Sequence, residues 1–210
     1  MTPEVEPEPA VAATIFGDHI EKARVFASQL AAYGEERGLI GPLEPARLWS
    51  RHILNCGVFA GMLPEGSLVG DVGSGAGLPG LVLAIARPDA RFVLIEPMER
   101  RTDWLTEQVT ALGLDNVTVC RSRVQDAPYI EACDVVTARA VSALKTLIPM
   151  TAPLVRPGGQ LLLMKGINAE REIEEARKQL RTHNVRDAVV ILSGVELLDE
   201  PTRLVQATVD

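Results

Sequence analysis

The amino-acid sequence alternates short β-like runs with helical patterns from residue 68 to residue 208, and no other feature constrains the fold as strongly. Such alternation favours a parallel sheet with helices on both faces, because each helix carries the chain back to begin the next strand in the same direction. The predicted strands are Leu68–Val72, Arg91–Glu96, Asn116–Arg121, Asp134–Ala138, Gln160–Lys165, Ala188–Leu192 and Arg203–Thr208. The predicted helices between them are Leu78–Ala86, Arg100–Leu112, Val141–Leu154 and Ala169–His183.

The link between the last two predicted strands is too short for a full crossover helix, so we expect an antiparallel pair near the end of the chain. The sequence thus predicts an α/β protein with a doubly wound, mostly parallel, seven-stranded Rossmann-like sheet. A chain of 210 residues suits a single domain over 1–210. Within it we predict a disordered tail rich in Glu and Pro (1–13), an N-terminal helical extension (15–63) and an α/β core (66–210).

Composition places the chain among ordinary globular proteins, with 47% hydrophobic and 23% charged residues. No apolar run approaches the roughly 18 residues that span a bilayer, and residues 1–13 lack the basic and apolar regions of a signal peptide. We therefore expect a cytoplasmic protein with no membrane partner. Cys56, Cys120 and Cys133 form no CxxC pair, which predicts small buried side chains and neither a disulfide framework nor a metal site.

A glycine-rich loop follows the first predicted strand, where residues 69–80 read VGDVGSGAGLPG. Glycines let the backbone approach a ligand closely, and the helix that begins after the loop presents unpaired N–H groups that favour a carboxylate or a phosphate. Residues 75–80 match GxGxxG, which is the signature of dinucleotide-binding proteins but a weak signal when it stands alone. The loop therefore indicates a nucleotide-like cofactor, with a purely structural turn as the other interpretation.

Asp71 distinguishes the competing cofactors. With it, residues 71–77 read DVGSGAG, a D-x-G-x-G-x-G run that resembles motif I of the S-adenosylmethionine-dependent methyltransferases. The resemblance implies that Asp71 helps to hold the amino-acid end of S-adenosylmethionine and that Gly73 and Gly75 lie beneath it. A carboxylate at this point is unfavourable beside a pyrophosphate, so a nicotinamide-dependent oxidoreductase becomes the alternative.

The second predicted strand ends at Glu96, whose carboxylate can accept hydrogen bonds from both hydroxyls of a ribose. This feature suits either cofactor and predicts nucleoside binding without choosing between them. After the fourth strand, residues 134–141 read DVVTARAV, without the Pro-Pro-aromatic motif of exocyclic-amine methyltransferases or the nucleophilic cysteine of pyrimidine C5 enzymes. That favours an acceptor atom with an available lone pair, such as guanine N7, which needs alignment and electrostatics but no general base.

Several short segments recur in the same order in one known family. Residues 48–54 (LWSRHIL), 71–80 (DVGSGAGLPG), 122–123 (SR), 138–140 (ARA) and 165–166 (KG) resemble the glucose-inhibited division protein B family. Its members are the small-subunit ribosomal RNA guanine-N7 methyltransferases. The likeness spans about residues 45–166, and the ordered set is far more specific than any single segment.

The resemblance implies an enzyme that methylates N7 of a guanine in 16S ribosomal RNA, with the RNA or the small ribosomal subunit as partner. It implies that Gly73 and Leu78 line the cofactor site, that Glu96 lies near the ribose, and that Val124 and Gln125 lie beside the adenine. Arg139 would lie near the transfer site, as a residue both catalytic and cofactor-binding. The sequence departs from the family at Asn55-Cys56 (often Asp-Ser), Gln125 (often Glu) and Ala138 (often Ser).

The net charge of -7 requires that any RNA contact use a local basic patch. Basic residues do follow predicted strand ends or neighbouring helix starts, which form the ligand crevice of a doubly wound sheet. Each alone is more typical of a solvated surface, but their joint placement favours RNA binding. These residues are Arg51, His52, Arg100, Arg101, Arg123 and Lys165, together with Arg139.

Arg139 stays protonated and cannot act as a base. We expect it to fix alignment by holding the cofactor carboxylate, an RNA phosphate or the guanine O6 edge, with a structural ion pair to Asp71 or Asp134 as the competing interpretation. Trp49 and Trp104 are expected to pack in the interior. A non-catalytic RNA-binding or assembly protein on the same fold is a third functional class, which the intact Asp71 and Glu96 disfavour.

Overall fold

The computed structural model describes residues 4–139 and 142–210 of the chain. Its strands are β1 (Leu68–Val72), β2 (Arg91–Ile95), β3 (Val117–Cys120), β4 (Cys133–Arg139), β5 (Val155–Met164), β6 (Val185–Ser193) and β7 (Thr202–Val209). These seven strands form one sheet in the order β3-β2-β1-β4-β5-β7-β6. Strands β1 to β5 are parallel, and β7 runs antiparallel to both β5 and β6. The prediction of a doubly wound, mostly parallel sheet with an antiparallel pair near the end is confirmed.

Helices cover both faces of the sheet. Along β2 the side chains alternate, with Phe92 and Leu94 in one buried cluster and Val93 and Ile95 in the other, because successive strand residues point to opposite faces. The helices are α1 (Val11–Phe16), α2 (Ile20–Tyr33), α3 (Asn55–Gly57), α4 (Gly80–Ala86), α5 (Glu99–Leu112), α6 (Leu144–Thr151), α7 (Ala169–Glu175) and α8 (Arg177–Thr182). The first cluster includes residues of α2, α4 and α5, and the second includes residues of α6, α7 and α8.

The described part of the predicted tail makes polar contacts with the rest of the extension. Helix α1 already begins at Val11, and the preceding residues are held by polar contacts. The carboxylate of Glu6 accepts hydrogen bonds from the amide and hydroxyl of Ser50 at 3.0 and 3.1 Å, and Glu8 pairs with Arg24 at 2.6 Å. The acidic side chains that suggested a solvated tail therefore dock residues 4–10 on the extension.

The second part of the predicted helical extension, for which the sequence predicts a helix from about Pro45 to Met62, is not a regular α-helix. Residues Leu48–Leu54 form a π-helix, and α3 continues from it. Short π-helical segments are rare and are frequently found at functional sites, since the extra residue per turn redirects side chains. This one carries Arg51 and His52.

Two other predicted helices differ from the structure. The one from Val141 becomes α6 followed by a 3-10 turn, Ala152–Leu154, and Val141 itself lies outside the described residues, as does Ala140. The helix predicted for 169–183 is divided into α7 and α8 at Ala176. In the part of the chain that is described, no helix is both long and apolar enough to cross a membrane.

Candidate active site

A cavity of about 670 Å³ opens at the carboxyl ends of β1, β2 and β4. Loops that follow these parallel strands meet at one edge, which is where doubly wound sheets bind ligands. The extension closes one side of the cavity through residues 39–44 and the π-helix. Of the residues singled out from the sequence, the cavity wall includes Gly73, Gly75, Leu78, Glu96, Val124, Gln125, Arg139, Arg51, His52, Arg101 and Arg123.

The glycine loop turns through backbone conformations that favour glycine. Gly73 has φ 70° and Gly75 has φ 55°, both in the left-handed region. The Gly73 amide donates to the carbonyl of Ile95 at 2.8 Å, and the Ser74 hydroxyl donates to the carbonyl of Asp71 at 2.9 Å. The loop is therefore fixed to Ile95 at the end of β2 and to Asp71 in β1.

Asp71 lies behind the glycine loop and does not line the cavity. It is fully buried, and its Oδ2 accepts the Gly80 amide at 3.0 Å, at the start of α4. Its other oxygen, Oδ1, is buried with no hydrogen-bond partner among the described residues. Burial, opposed by the hydrogen bond from the Gly80 amide, raises the pKa of Asp71 to about 7. Asp71 thus holds the loop against α4 instead of facing the space where a cofactor would lie.

Glu96 joins the loop to the end of β2 while facing the cavity. Only 2% of the residue is exposed. Its Oε2 accepts the Gly75 amide at 3.1 Å, and its Oε1 accepts the Met98 amide at 2.9 Å. Arg101 Nη1 lies 3.7 Å from Oε2. Each carboxylate oxygen retains a lone pair, so Glu96 can still accept a hydrogen bond from a ligand hydroxyl.

An apolar wall lies near this carboxylate. Leu78 from the end of the glycine loop and Val124 from the turn after β3 are each 8% exposed and both line the cavity. Gln125 follows Val124 on the same turn, and its side chain is exposed at the cavity wall. Such a wall suits a flat, weakly polar ring, with an amide beside it to hydrogen-bond the ring edge.

Arg139 ends β4 and contacts the extension across the cavity. Its Nη2 lies 2.6 Å from Nδ1 of His52, and its Nη1 lies 3.3 Å from Sγ of Cys56. The ion pair with Asp71 or Asp134, which was the competing interpretation of Arg139, does not form: Asp134 instead pairs with Arg156 at 2.6 Å. Among the described residues, no carboxylate lies within 4.0 Å of Arg139.

Glu44 completes this arrangement, although nothing in the sequence pattern singled it out. Its Oε2 lies 2.6 Å from Nε2 of His52, which is only 7% exposed. Burial and then the charge of Arg139 lower the pKa of His52 to about 4, although Glu44 opposes this effect. His52 is therefore neutral near pH 7. No sequence signal could reveal Glu44, since its partner is specified only by how the loop before the π-helix folds.

The residues of the predicted basic patch do not all lie at one place in the structure. Arg51, Arg101, Arg123 and Arg139 lie together on the cavity wall. The exposed Arg100 lies outside it, with its guanidinium beside Gly38 in the extension. Lys165 is nearly buried and directs its ammonium to Glu172 at 2.7 Å and to the carbonyl of Ser142 at 2.8 Å.

The remaining residues of interest pack in the interior. Trp49 and Trp104 are 5% and 1% exposed, as expected, and the Trp104 indole donates to the carbonyl of Ala76 at 3.0 Å. Cys133 is buried, Cys120 is half-buried, and the buried Cys56 has the polar contact with Arg139 as well. Within residues 4–139 and 142–210, no group of three or more His, Cys, Asp or Glu is placed to hold a metal ion.

Comparison with known proteins identifies close relatives over the whole chain. A family model described as rRNA small subunit methyltransferase G (GidB) matches residues 19–197. A protein of Leifsonia xyli subsp. xyli named ribosomal RNA small subunit methyltransferase G is 60% identical over 209 residues, covering 100% of both chains. A protein of the same name from Clavibacter sepedonicus is 60% identical over 205 residues, covering 98% of this chain and 97% of its own.

Solved structures resemble the fold at lower identity. M. jannaschii TYW2 in complex with AdoMet aligns with a TM-score of 0.60 at 19% identity, covering 76% of each chain. A SAM-dependent methyltransferase from Aquifex aeolicus aligns with a TM-score of 0.54 at 22% identity, covering 70% of this chain and 85% of its own. At such identities these likenesses establish the α/β fold.

Proposed function

Because the chain belongs to the family of rRNA small subunit methyltransferase G, we propose that it transfers a methyl group from S-adenosylmethionine to N7 of a guanine in 16S ribosomal RNA. The observation that carries this proposal is the cavity at the carboxyl ends of β1, β2 and β4. There the buried carboxylate of Glu96 and the guanidinium of Arg139 face one space.

The residues of the cavity fit S-adenosylmethionine. Glu96 would accept hydrogen bonds from the ribose hydroxyls, since each of its oxygens has only one backbone donor. Leu78 and Val124 would pack on the adenine, and Gln125 would hydrogen-bond its amino group through the amide oxygen. Gly73 and Gly75 leave the loop without side chains beside the amino-acid end of the cofactor.

The proposed chemistry is a displacement at carbon. The cofactor supplies a methyl group bonded to a positively charged sulfur; the lone pair of guanine N7 forms the new N–C bond, and the electrons of the S–C bond stay on sulfur. No proton leaves N7 in this step. The residues of the chain therefore have to align the two substrates and exclude water, without a general base.

The state of the acidic and histidine side chains supports an acceptor such as N7. Of the described cavity residues, Glu44, His52 and Glu96 carry side chains of the types that serve as general bases. His52 is bonded at both ring nitrogens, Glu44 is bonded to His52 and Arg47, and Glu96 accepts two backbone amides. None of the three is placed as an unengaged base.

The charge distribution supports an RNA partner despite the net charge of -7. Arg51, Arg101, Arg123 and Arg139 concentrate positive charge at the cavity, where they would meet the phosphates around the target guanine. We accordingly propose 16S ribosomal RNA, alone or in the small ribosomal subunit, as the partner. Neither the nicotinamide-dependent oxidoreductase nor the non-catalytic RNA-binding protein is favoured by the family assignment.

The test is methyl transfer by the purified protein to 16S RNA, followed by mass mapping of the product. We expect one modified guanine in the product. The same guanine should be unmethylated in 16S RNA from cells that lack the protein. A transcript made with 7-deazaguanosine, which has carbon in place of N7, should accept no methyl group. Arg139→Ala should lose activity, while Arg177→Ala on the exposed face of α8 serves as the control cation. Methylation of the 7-deazaguanosine transcript would contradict the assignment of N7.

A further inference from the structure

The N-terminal extension reaches the cavity through a chain of three side chains: Glu44, His52 and Arg139. We propose that Glu44 and His52 are positioning residues, which hold the Arg139 guanidinium as a cation that has no carboxylate partner among the described residues, so that it can bind an anionic group of a substrate. The inference rests on the proposed function only for the identity of that substrate. The geometry of the three side chains is independent of it.

The direction of both hydrogen bonds follows from Arg139. A guanidinium has donors and no acceptor, so Nδ1 of His52, 2.6 Å from Nη2, must accept. The ring proton then lies on Nε2, which donates to Oε2 of Glu44 at 2.6 Å. Only the neutral Nε2–H tautomer of His52 satisfies both neighbours, since a proton on Nδ1 would oppose the N–H of Arg139.

The surroundings of His52 keep it in that state. The charged groups that face it are Glu44, Arg51 and Arg139, and Cys56 lies on the far side of the guanidinium. Glu44 also pairs with Arg47 at 2.5 Å and lies 3.5 Å from Nε of Arg51, so its negative charge is already shared between two cations. Glu44 therefore orients the imidazole without neutralising Arg139, which it does not contact.

Arg139 differs in its partners from two other arginines of the cavity wall, Arg51 and Arg101. Arg101 lies 3.7 Å from Glu96 and Arg51 lies 3.5 Å from Glu44, whereas the described carboxylates all lie beyond 4.0 Å of Arg139. Its two known contacts, to His52 and to the thiol of Cys56, are with neutral groups. A partly buried cation without a counter-ion is unfavourable, so an anion that enters the cavity gains by meeting it.

The anion is a carboxylate or a phosphate, and both are matched by the planar fork of arginine. Two substrates carry such a group: S-adenosylmethionine has a carboxylate, and RNA has phosphates. In either case the role of Glu44 and His52 is the same, because they fix where the guanidinium lies before the substrate binds. Pre-organisation of this kind reduces the entropy lost on binding.

The tautomer is tested first, by ¹⁵N NMR on protein labelled at histidine. The chain has three histidines, so the signal that disappears from the spectrum of a His52→Asn variant is assigned to His52. Expected is a neutral Nε2–H imidazole that does not titrate down to about pH 5, and an Arg139→Met variant in which the His52 pKa rises by about one unit or more. A Nδ1–H tautomer, or a His52 pKa near 6.5 that Arg139→Met leaves unchanged, overturns the proposal. This measurement needs neither RNA nor methyl transfer, so its failure is separate from failure of the proposed function.

Two matched substitutions of His52 test the positioning role. Asn places its amide oxygen where Nδ1 lies, so His52→Asn keeps an acceptor for Arg139 and loses the bond to Glu44. Gln places its amide nitrogen where Nε2 lies, so His52→Gln keeps the bond to Glu44 and loses that acceptor. We expect His52→Asn to retain at least about tenfold more kcat/KM than His52→Gln, which corresponds to one hydrogen bond to a charged group. Equal losses in both variants, at equal melting temperatures, overturn the proposal.

The identity of the anion is decided by binding to Arg139→Met. If the cofactor carboxylate is held, affinity for S-adenosylmethionine falls about tenfold or more while affinity for decarboxylated S-adenosylmethionine is unchanged. If an RNA phosphate is held, both cofactor affinities persist, and the slope of log affinity for 16S RNA against log salt decreases by about one contact. A variant with none of these changes overturns the proposal.

Discussion

The Gly80 amide donates a hydrogen bond to Oδ2 of Asp71 at 3.0 Å, and this bond joins the end of β1 to the start of α4 across the glycine loop. The contact leaves no room for a side chain at position 80, since an added Cβ would lie 2.5 Å from that oxygen and 2.4 Å from Leu94 Cδ2. The acid of the D-x-G-x-G-x-G run therefore acts on the backbone of the loop, one layer behind the cavity.

Asp71→Ala should weaken S-adenosylmethionine binding by about tenfold or more while the domain stays folded, because the buried Gly80 amide loses its acceptor at a cost of about 1–3 kcal/mol. Asp71→Asn keeps an oxygen acceptor and should retain most of the affinity. Isothermal titration calorimetry on both variants measures the difference. Near-normal affinity in Asp71→Ala would show that the loop holds its shape without this hydrogen bond.

The raised pKa of Asp71 predicts a pH-dependent stability. In the unfolded chain this carboxyl titrates near its usual value of about 3.9, and in the folded protein burial raises its pKa to about 7. The folded state then binds more protons than the unfolded state between these values, so its free energy of unfolding falls as pH rises through about 7. Urea unfolding measures the free energy of unfolding at pH 5 and at pH 8. Between these pH values it should fall by a few kcal/mol more in the wild type than in Asp71→Asn, since one pKa unit is about 1.4 kcal/mol. Parallel pH profiles would contradict the burial of the charge.

Gly73→Val should severely weaken cofactor binding, because φ at this position is 70° and a β-branched residue is strained there by about 1–2 kcal/mol or more. The strain would be relieved by moving the loop away from Ile95, whose carbonyl binds the Gly73 amide. Gly61→Ala is the matched control, since no atom of the described residues lies within 4 Å of an added Cβ and its φ is not in the left-handed region. Calorimetry should find normal affinity in the control alone.

Arg100 and Arg101 should respond differently to charge reversal. Arg101→Glu places a carboxylate near Glu96 and should weaken both cofactor and RNA binding through like-charge repulsion. Arg100 lies outside the cavity, so Arg100→Glu should affect only RNA affinity. The slope of log RNA affinity against log salt concentration should decrease by the equivalent of about one phosphate contact. Fluorescence titrations with RNA at several salt concentrations measure this. An unchanged slope in Arg100→Glu would remove Arg100 from the RNA surface.

Arg139→Ala should reduce single-turnover methyl transfer by about 100-fold or more at saturating cofactor, because alignment at the transfer site is lost. Arg139→Lys should restore only part of the rate, since an ammonium lacks the planar fork. Thermal melts run in parallel separate this from a structural role. A normal rate with a lowered melting temperature would mean that Arg139 only stabilises the contact between β4 and the extension.

Local sequence patterns were enough to predict the helices and strands of the core and the part of the cavity around the glycine loop. The boundaries of β1 agree to the residue with the prediction, because the glycines that follow the strand mark its end in the sequence. Glu96 was located for the same reason, since the carboxyl end of a parallel strand lies beside the ends of its neighbours. The π-helix was not predicted, as the helical period of its residues does not reveal the wider turn.

The sequence by itself determined the α/β fold, the family and the glycine loop with its strand-end carboxylate, because these depend on periodicity, glycine conformation and an ordered set of short segments. Only the tertiary structure decided what the charged side chains do. It buried Asp71 behind the loop, turned Lys165 towards Glu172, and brought Glu44 and His52 to Arg139, although His52 and Arg139 are 87 positions apart in the chain. The physical reason is that a side chain's charge state and partners depend on burial and distance, which packing between remote elements sets.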